Sequence, residues 1–335
     1  MRICDMRGAR RLRRERGLKL LAATVGLIAI VCAGASPVLA AQSLWVANND
    51  SLNIEQFNQQ QLKDSDIAHP SLIGTSAKPL GIAFDRKGNL WTTVGLLQVQ
   101  EFTAKQLRSA GKSSSPTPAA VITSASFQDL VGSNFDAAGN LWIADASGAI
   151  YELSAAQLIA GTAVVTPALT ITAPSYFSSP QFVAFDKLGN LWVSDEGANS
   201  LFEFTPTELG AGGDQVPRVI NSGLSAPGQL AFDHKQNLWV ANYDNATVVE
   251  FAKADVQASG SPAPMATITS PNSILNGAWG VAFDQRNYMW VANYRTGAIV
   301  KFGPVQLTSK HPLRPKIFLL GAQDFAYQIT FGPTN

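Results

Sequence analysis

The chain has 335 residues, 46% hydrophobic and 15% charged, with 27 Gly and 18 Pro; that balance excludes a disordered chain, a coiled coil or a long helical array and leaves a compact, turn-rich fold. The formal charge of +1 hides an asymmetry, because the first 40 residues hold eight of the 25 Lys and Arg but two of the 24 Asp and Glu, leaving 17 bases, 22 acids and a net charge of −5 for the rest. A chain of that sign lacks the cationic surplus that neutralises phosphates, so no nucleic-acid partner is expected.

Residues 1–40 read as a secretory signal. A basic stretch ends at Lys19, an apolar run of 16 residues covers 20–35, and Val38 and Ala40 are small residues placed for cleavage before Ala41. The run falls short of the roughly 17 to 25 residues that span a bilayer, so a cleaved signal is expected over the alternative of an uncleaved anchor. The expectation is an extracytoplasmic protein, periplasmic or secreted, with no membrane insertion after cleavage. Both cysteines, Cys4 and Cys32, fall in this segment. Residues 41–335 therefore have neither a disulfide nor a thiol nucleophile, and packing alone must hold them together.

From residue 41 onward one phrase repeats. It runs from Phe84-Asp85 through Gly88-Asn89-Leu90 to Trp91, and returns at Phe135 to Trp142, Phe185 to Trp192, Phe232 to Trp239 and Phe283 to Trp290, always seven residues apart. A sixth Trp strand, 44–48, opens the domain without its Phe-Asp partner, and 327–331 closes it without a Trp. These halves complete each other. Each unit reads as four short strands: an apolar one ending in Asp, a tight hairpin with Gly88, Gly139, Gly189 or Asn287 at positive φ, the Trp strand, and a third strand alternating toward an aromatic. Thr103 to Gln106, Ser154 to Gln157 and Thr205 to Glu208 then form capping boxes that predict a short helical turn. A proline at 70, 118, 167, 217, 264 and 315 announces the fourth strand.

Six such units predict an all-β fold, a six-bladed β-propeller of four-stranded antiparallel blades, monomeric, its ring closed by the C-terminal strand joining the N-terminal blade. The repeat tryptophans are expected to pack adjacent blades, and the repeat aspartates to cap their own turns.

The phrase resembles NHL and YVTN-type propeller repeats over about residues 42–335, and is similar to those of gluconolactonase-like and virginiamycin B lyase-like propellers. The resemblance implies a divalent metal held by Glu, Asn and Asp at the channel mouth and, in the lyases, a His general base. Counting back four from each repeat Phe gives Leu80, Val131, Gln181, Gly228, Trp279 and Tyr327, followed by Gly81, Gly132, Phe182, Gln229, Gly280 and Gln328. None is a Glu, Asn or Asp, so no family catalytic residue, metal or cofactor carries over. His234 belongs to a hairpin on the opposite face, and His69 and His311 to loops before an outer strand; all three are expected to be solvated.

The loops between second and third strands share the mouth face with those leading into the first strand. They contain Asn48-Asn49-Asp50, Asp145, Asp195-Glu196, Asn242-Tyr243-Asp244 and Asn293-Tyr294-Arg295. The first residue of each group is expected to hydrogen-bond its own turn. The candidate binding surface combines Tyr243, Tyr294, Trp279 and Tyr327 with Gln181, Gln229 and Gln328, and with Asn242, Asp244, Asn293 and Arg295. Amphipathic aromatics beside neutral amides suit a carbohydrate, peptide or protein ligand; the same rings could also plug the channel as core. The competing expectation is a metal-assisted lactone hydrolase or lyase using Asp50, Asp145, Asp195, Glu196 and Asp244.

Overall fold

The computed structural model describes residues 42–63, 70–109, 113–257, 259–269, 274–307, 317–319 and 325–333. The signal-like segment 1–40, His69 and His311 lie outside them. No helix among the described residues is long and apolar enough to cross a membrane.

Each repeat phrase makes the same local structure, and its hydrogen bonds explain its sequence. In the second unit Asp85 Oδ1 accepts the backbone N–H groups of Lys87 and Asn89 at 2.8 and 2.9 Å. Its Oδ2 accepts the Asn89 side chain at 2.9 Å and the Trp91 indole N–H at 3.3 Å, while Asn89 Oδ1 accepts Ala104 N at the start of the helical turn. One carboxylate thus closes the hairpin, satisfies the Trp donor and sets the next connection. Asp136, Asp186, Asp233 and Asp284 repeat the Trp bond at 3.0 to 3.5 Å. Trp45 lacks it, because Gly332 stands at the Asp position of its partner strand, and its buried indole N–H has no partner.

The predicted hairpin positions have positive φ at Gly88, Gly139, Gly189 and Asn287; in the remaining hairpin Gln236 takes that conformation at φ 67°. Two of the three capping boxes start helices, Ala104–Ser109 and Pro206–Ala211. The third corrects its expectation. The N–H and hydroxyl of Ser154 both donate to Gln157 Oε1, but the Gln157 N–H donates to the Ser154 carbonyl rather than to its hydroxyl, and the chain leaves after this one turn to form the strand Gly161–Val164, so no helix grows.

Six sheets result. Blade two is Pro79–Phe84, Leu90–Val94, Gln98–Phe102 and Ala120–Thr123; blade three is Leu130–Phe135, Leu141–Asp145, Ala149–Leu153 and Leu169–Thr172. Blade four is Pro180–Phe185, Leu191–Asp195, Ser200–Phe204 and Arg218–Ile220; blade five is Pro227–Phe232, Leu238–Asn242, Thr247–Phe251 and Ala266–Ile268. Blade six is Ala278–Phe283, Met289–Asn293, Ile299–Phe302 and Ile317–Leu319. In blade one Ala326–Pro333 pairs antiparallel with Gln42–Asn48, setting Phe331 opposite Leu44, and Asn53–Phe57 and Ser71–Gly74 follow. The six first strands touch one another in order around a closed ring.

Between blades, five of the six repeat Trp meet the repeat Phe of the next: Trp45 with Phe84, Trp142 with Phe185, Trp192 with Phe232, Trp239 with Phe283 and Trp290 with Phe331, centroids 5.3 to 6.2 Å apart. These tilted and edge-on contacts place the core between blades rather than within one. A feature the repeat did not predict protects the rim. The connection before the fourth strand of one blade runs parallel to the outer strand of the preceding blade: Ser113–Ser114 on Ser71–Gly74, Gly161–Val164 on Ala120–Thr123, and Gly213–Asp214 on Leu169–Thr172. Gly260 bridges Ile220 in the same way. An outer edge so covered offers no free ladder for another chain.

Candidate functional site

The mouth of the ring is shaped by a bulge near the start of every inner strand. A bulge leaves backbone donors without a ladder partner, and two glutamines take them up. Gln229 Oε1 accepts the N–H groups of Val281 and Ile329 at 3.2 and 3.1 Å, and its Nε2 donates to Ile329 O at 2.8 Å. Gln328 Oε1 accepts Ile82 N at 2.8 Å and its Nε2 donates to Ser133 O at 3.3 Å. Each amide ties three inner strands together, and both side chains are buried.

In blades three to six the residue ending the second strand pins the loop leading into the first. Asp145 accepts Gln128 N and Asp129 N, and Asp195 accepts Ser178 N and Ser179 N, at 2.8 to 3.1 Å. Asn242 and Asn293 do this with both ends of the amide, accepting Ser225 N and Asn276 N and donating to Gly223 O and Ile274 O. All four are fully buried. These bonds put both loop sets on one face, as the strand order requires, and they engage the amides of Asn242 and Asn293 in the framework.

What remains at the mouth is aromatic. Trp279 meets Tyr243, Tyr294, Tyr327 and Phe182 with centroids 5.4 to 6.3 Å apart, and Tyr294 stacks on Phe325 at 4.6 Å. Tyr327 of blade one donates its hydroxyl hydrogen to Gln181 Oε1 of blade four at 3.1 Å. Those blades face each other across a six-membered ring, so this bond and the Phe182 ring between them close the channel. Phe182 fits because Gly132 faces it; a Cβ there would lie 2.3 Å from the ring. The rings of Phe182, Trp279 and Tyr327 therefore fill the mouth, the first two buried, and the partly exposed Tyr243 and Tyr294 pack against Trp279.

The rim is acidic. Burial holds Glu196 above the usual carboxylate range, and Asp244 and Asp195 push it further. Burial does the same to Asp129, helped by Asp145. Tyr327 is raised by burial first, then by Glu196, Tyr294 and Asp129, and Tyr294 by burial, Asp50 and Tyr243. Two cations stand on the rim: Lys78, 3.1 Å from Asp50, and Arg295, 3.9 Å from Asp244 and 4.3 Å above the Tyr243 ring. The indole N–H of buried Trp279 faces the Tyr327 hydroxyl and eases its ionisation, against the larger effect of burial.

The structure thus brings together Trp279, Tyr327, Gln181, Tyr243, Tyr294, Asp244 and Arg295, while Gln229, Gln328, Asn242 and Asn293 serve the frame beneath. Phe325 and Asp129 belong to the mouth and were not singled out from sequence, and Phe182, placed at the mouth by the repeat register, was not counted in the candidate binding surface. Phe182 was detectable as the one large residue at a register otherwise filled by Gly and Gln. Among the described residues no group of three His, Cys, Asp or Glu side chains is placed to hold a metal ion. His234 is exposed on the hairpin face, where its backbone N–H donates to Asn287. A crevice on that face, floored by Trp192, Phe232 and Val256 between blades four and five, encloses about 20 Å³, room for about one water.

No family model matches the sequence, and no curated protein matches it. Among solved structures, a protein of unknown function from Bacteroides caccae is similar with a TM-score of 0.59 at 12% identity, over 88% of this chain and 100% of that one. A catalytically inactive virginiamycin B lyase from Staphylococcus aureus, solved with quinupristin, is similar with a TM-score of 0.51 at 12% identity, over 84% and 86%. The selenomethionine form of virginiamycin B lyase gives 0.48 at 13% identity, over 68% and 67%. At these identities what is shared is the propeller fold.

Proposed function

We propose that this protein is an extracytoplasmic, monomeric binding module that captures a carbohydrate, peptide or protein ligand on the channel-mouth face. The observation that carries this reading is the aromatic cluster at the mouth, in which the partly exposed Tyr243, Tyr294 and Tyr327 surround the buried Trp279. Flat amphipathic surfaces with a few fixed polar groups are what ligand sites present. The signal-like segment 1–40 supports an extracytoplasmic location.

The fold shared with a lyase solved with quinupristin keeps a second reading in view, a metal-assisted lactone hydrolase or lyase working from the rim acids. Against it stands the use of those acids: Asp145 and Asp195 spend their oxygens on backbone N–H groups. The test is capture from glycan and peptide arrays by residues 41–335, compared with the Tyr243→Ala, Tyr294→Ala double variant. Binding lost with the fold intact supports the module. Unchanged binding misplaces the site, and lactone turnover that disappears on neutralising Glu196 and Asp244 would establish the enzyme instead.

A further inference from the structure

The chain already seats a cation at the mouth. The Arg295 guanidinium lies 4.3 Å above the Tyr243 ring with Asp244 3.9 Å away, and its side chain is 41% exposed. The seat is built into the backbone: Gly277, at φ 65°, leaves the space, since a Cβ there would come within 2.8 Å of Arg295 Cγ and 3.0 Å of Tyr243 Cε2. An aromatic face beside a carboxylate is the arrangement that holds ammonium and guanidinium groups.

The rim also carries more negative charge than its cations answer. Asp50 has Lys78 and Asp244 has Arg295, whereas neither Glu196 nor Asp129 is in an ion pair among the described residues. Both are held above the usual carboxylate range by burial and by their acidic neighbours, which marks a region of negative potential around the aromatic cluster. Beneath the seat lies Trp279, 5% exposed and in ring contact with Tyr243, Tyr294 and Tyr327.

We infer that the mouth recognises a cationic side chain of a peptide, seated over the Tyr243 and Tyr294 rings between Glu196 and Asp244, with Arg295 as the internal occupant that the ligand displaces. This rests on the mouth being the binding face. It makes Arg295 a competitor, so its removal should strengthen binding rather than weaken it.

The test titrates residues 41–335 with Nα-acetyl-arginine amide and with its neutral isostere, Nα-acetyl-citrulline amide, following the tryptophan indole resonances by NMR. The arginine probe should bind at millimolar concentration and the citrulline probe at least about five-fold more weakly, the loss expected for one cation over an aromatic face. Glu196→Gln should weaken arginine binding, 0.5 M salt should do the same (roughly 4 Å screening against about 10 Å at 0.1 M), and Arg295→Ala should tighten it, with circular dichroism checking each fold. Equal binding of the two probes, no arginine binding at all, or weaker binding by Arg295→Ala would overturn the inference. If both probes fail while a neutral ligand is captured through Tyr243 and Tyr294, cation recognition falls and the mouth-face reading stands; if nothing touches the mouth, both fall.

Discussion

At the scale of single residues, the repeat aspartate organises each hairpin. Burial raises the Asp136 carboxyl, but hydrogen bonds from Trp142, Asn140 and Ala138 outweigh that and hold it below the ordinary carboxylate range. Asp136→Ala would leave the Trp142 indole N–H without its acceptor and open the turn, and should cost about 2–4 kcal/mol in urea melts at pH 7. Because its folded pKa is depressed, the stability Asp136 supplies is present above the unfolded pKa and is lost as pH falls through the folded one. The variant should therefore differ least from wild type in acid. Leu52 and Leu96 show what residue type does not reveal. Both adopt positive φ, 53° and 71°, and are 41% and 43% exposed on mouth-face turns, a conformation bulky side chains resist. Leu96→Asn should raise stability by up to about 1 kcal/mol in the same assay. The Asp, Gly and Trp of the hairpins were legible because their chemistry demands their positions, whereas Leu96 and Gln236 hold left-handed turns only because the surrounding blade imposes them.

At the scale of elements, strand order and the proline-led outer strands were legible from the repeat. The bulges were not, since nothing in the alternation of a short strand signals an extra residue. They change the meaning of the mouth residues: Gln229 and Gln328, which in sequence look like ligand amides, serve the backbone donors that the bulged strands leave unpaired. Gln328→Leu should cost about 2–4 kcal/mol by orphaning the Ile82 N–H and the Ser133 carbonyl within the ring; an urea midpoint unchanged from wild type would show that these bonds contribute nothing. The edge-covering parallel segments were likewise unreadable. They depend on one blade's connection lying against its neighbour, which the repeat alone does not specify.

At the scale of the whole molecule, the ring closes through Ala326–Pro333 and its channel is stopped by side chains from opposite blades. Closure was legible from the two half-repeats; the plug was one of two readings of the same rings. A second pattern runs around four blades, where a buried Glu faces the repeat Trp: Glu101, Glu152, Glu203 and Glu250. Burial raises all four, Glu250 to about 7. A carboxyl raised in the folded state favours folding most below its unfolded pKa and loses that advantage as pH rises through the folded value. Stability should therefore be higher at pH 5 than at pH 8, with Glu250 alone accounting for on the order of 3 kcal/mol. Glu250→Gln should stabilise at pH 8 and flatten the dependence, whereas a stability profile rising from pH 5 to 8 would reverse the sign assigned to these groups.

The central claim is that ligands meet this propeller at its mouth. Hydrogen–deuterium exchange of residues 41–335, with and without a ligand captured from the arrays, tests it most directly. The account predicts slowed exchange in 195–199, 243–246 and 294–297, with the hairpins 85–89, 136–140 and 186–190 unchanged. Protection confined to the hairpin face, or to the outer strands, would contradict it.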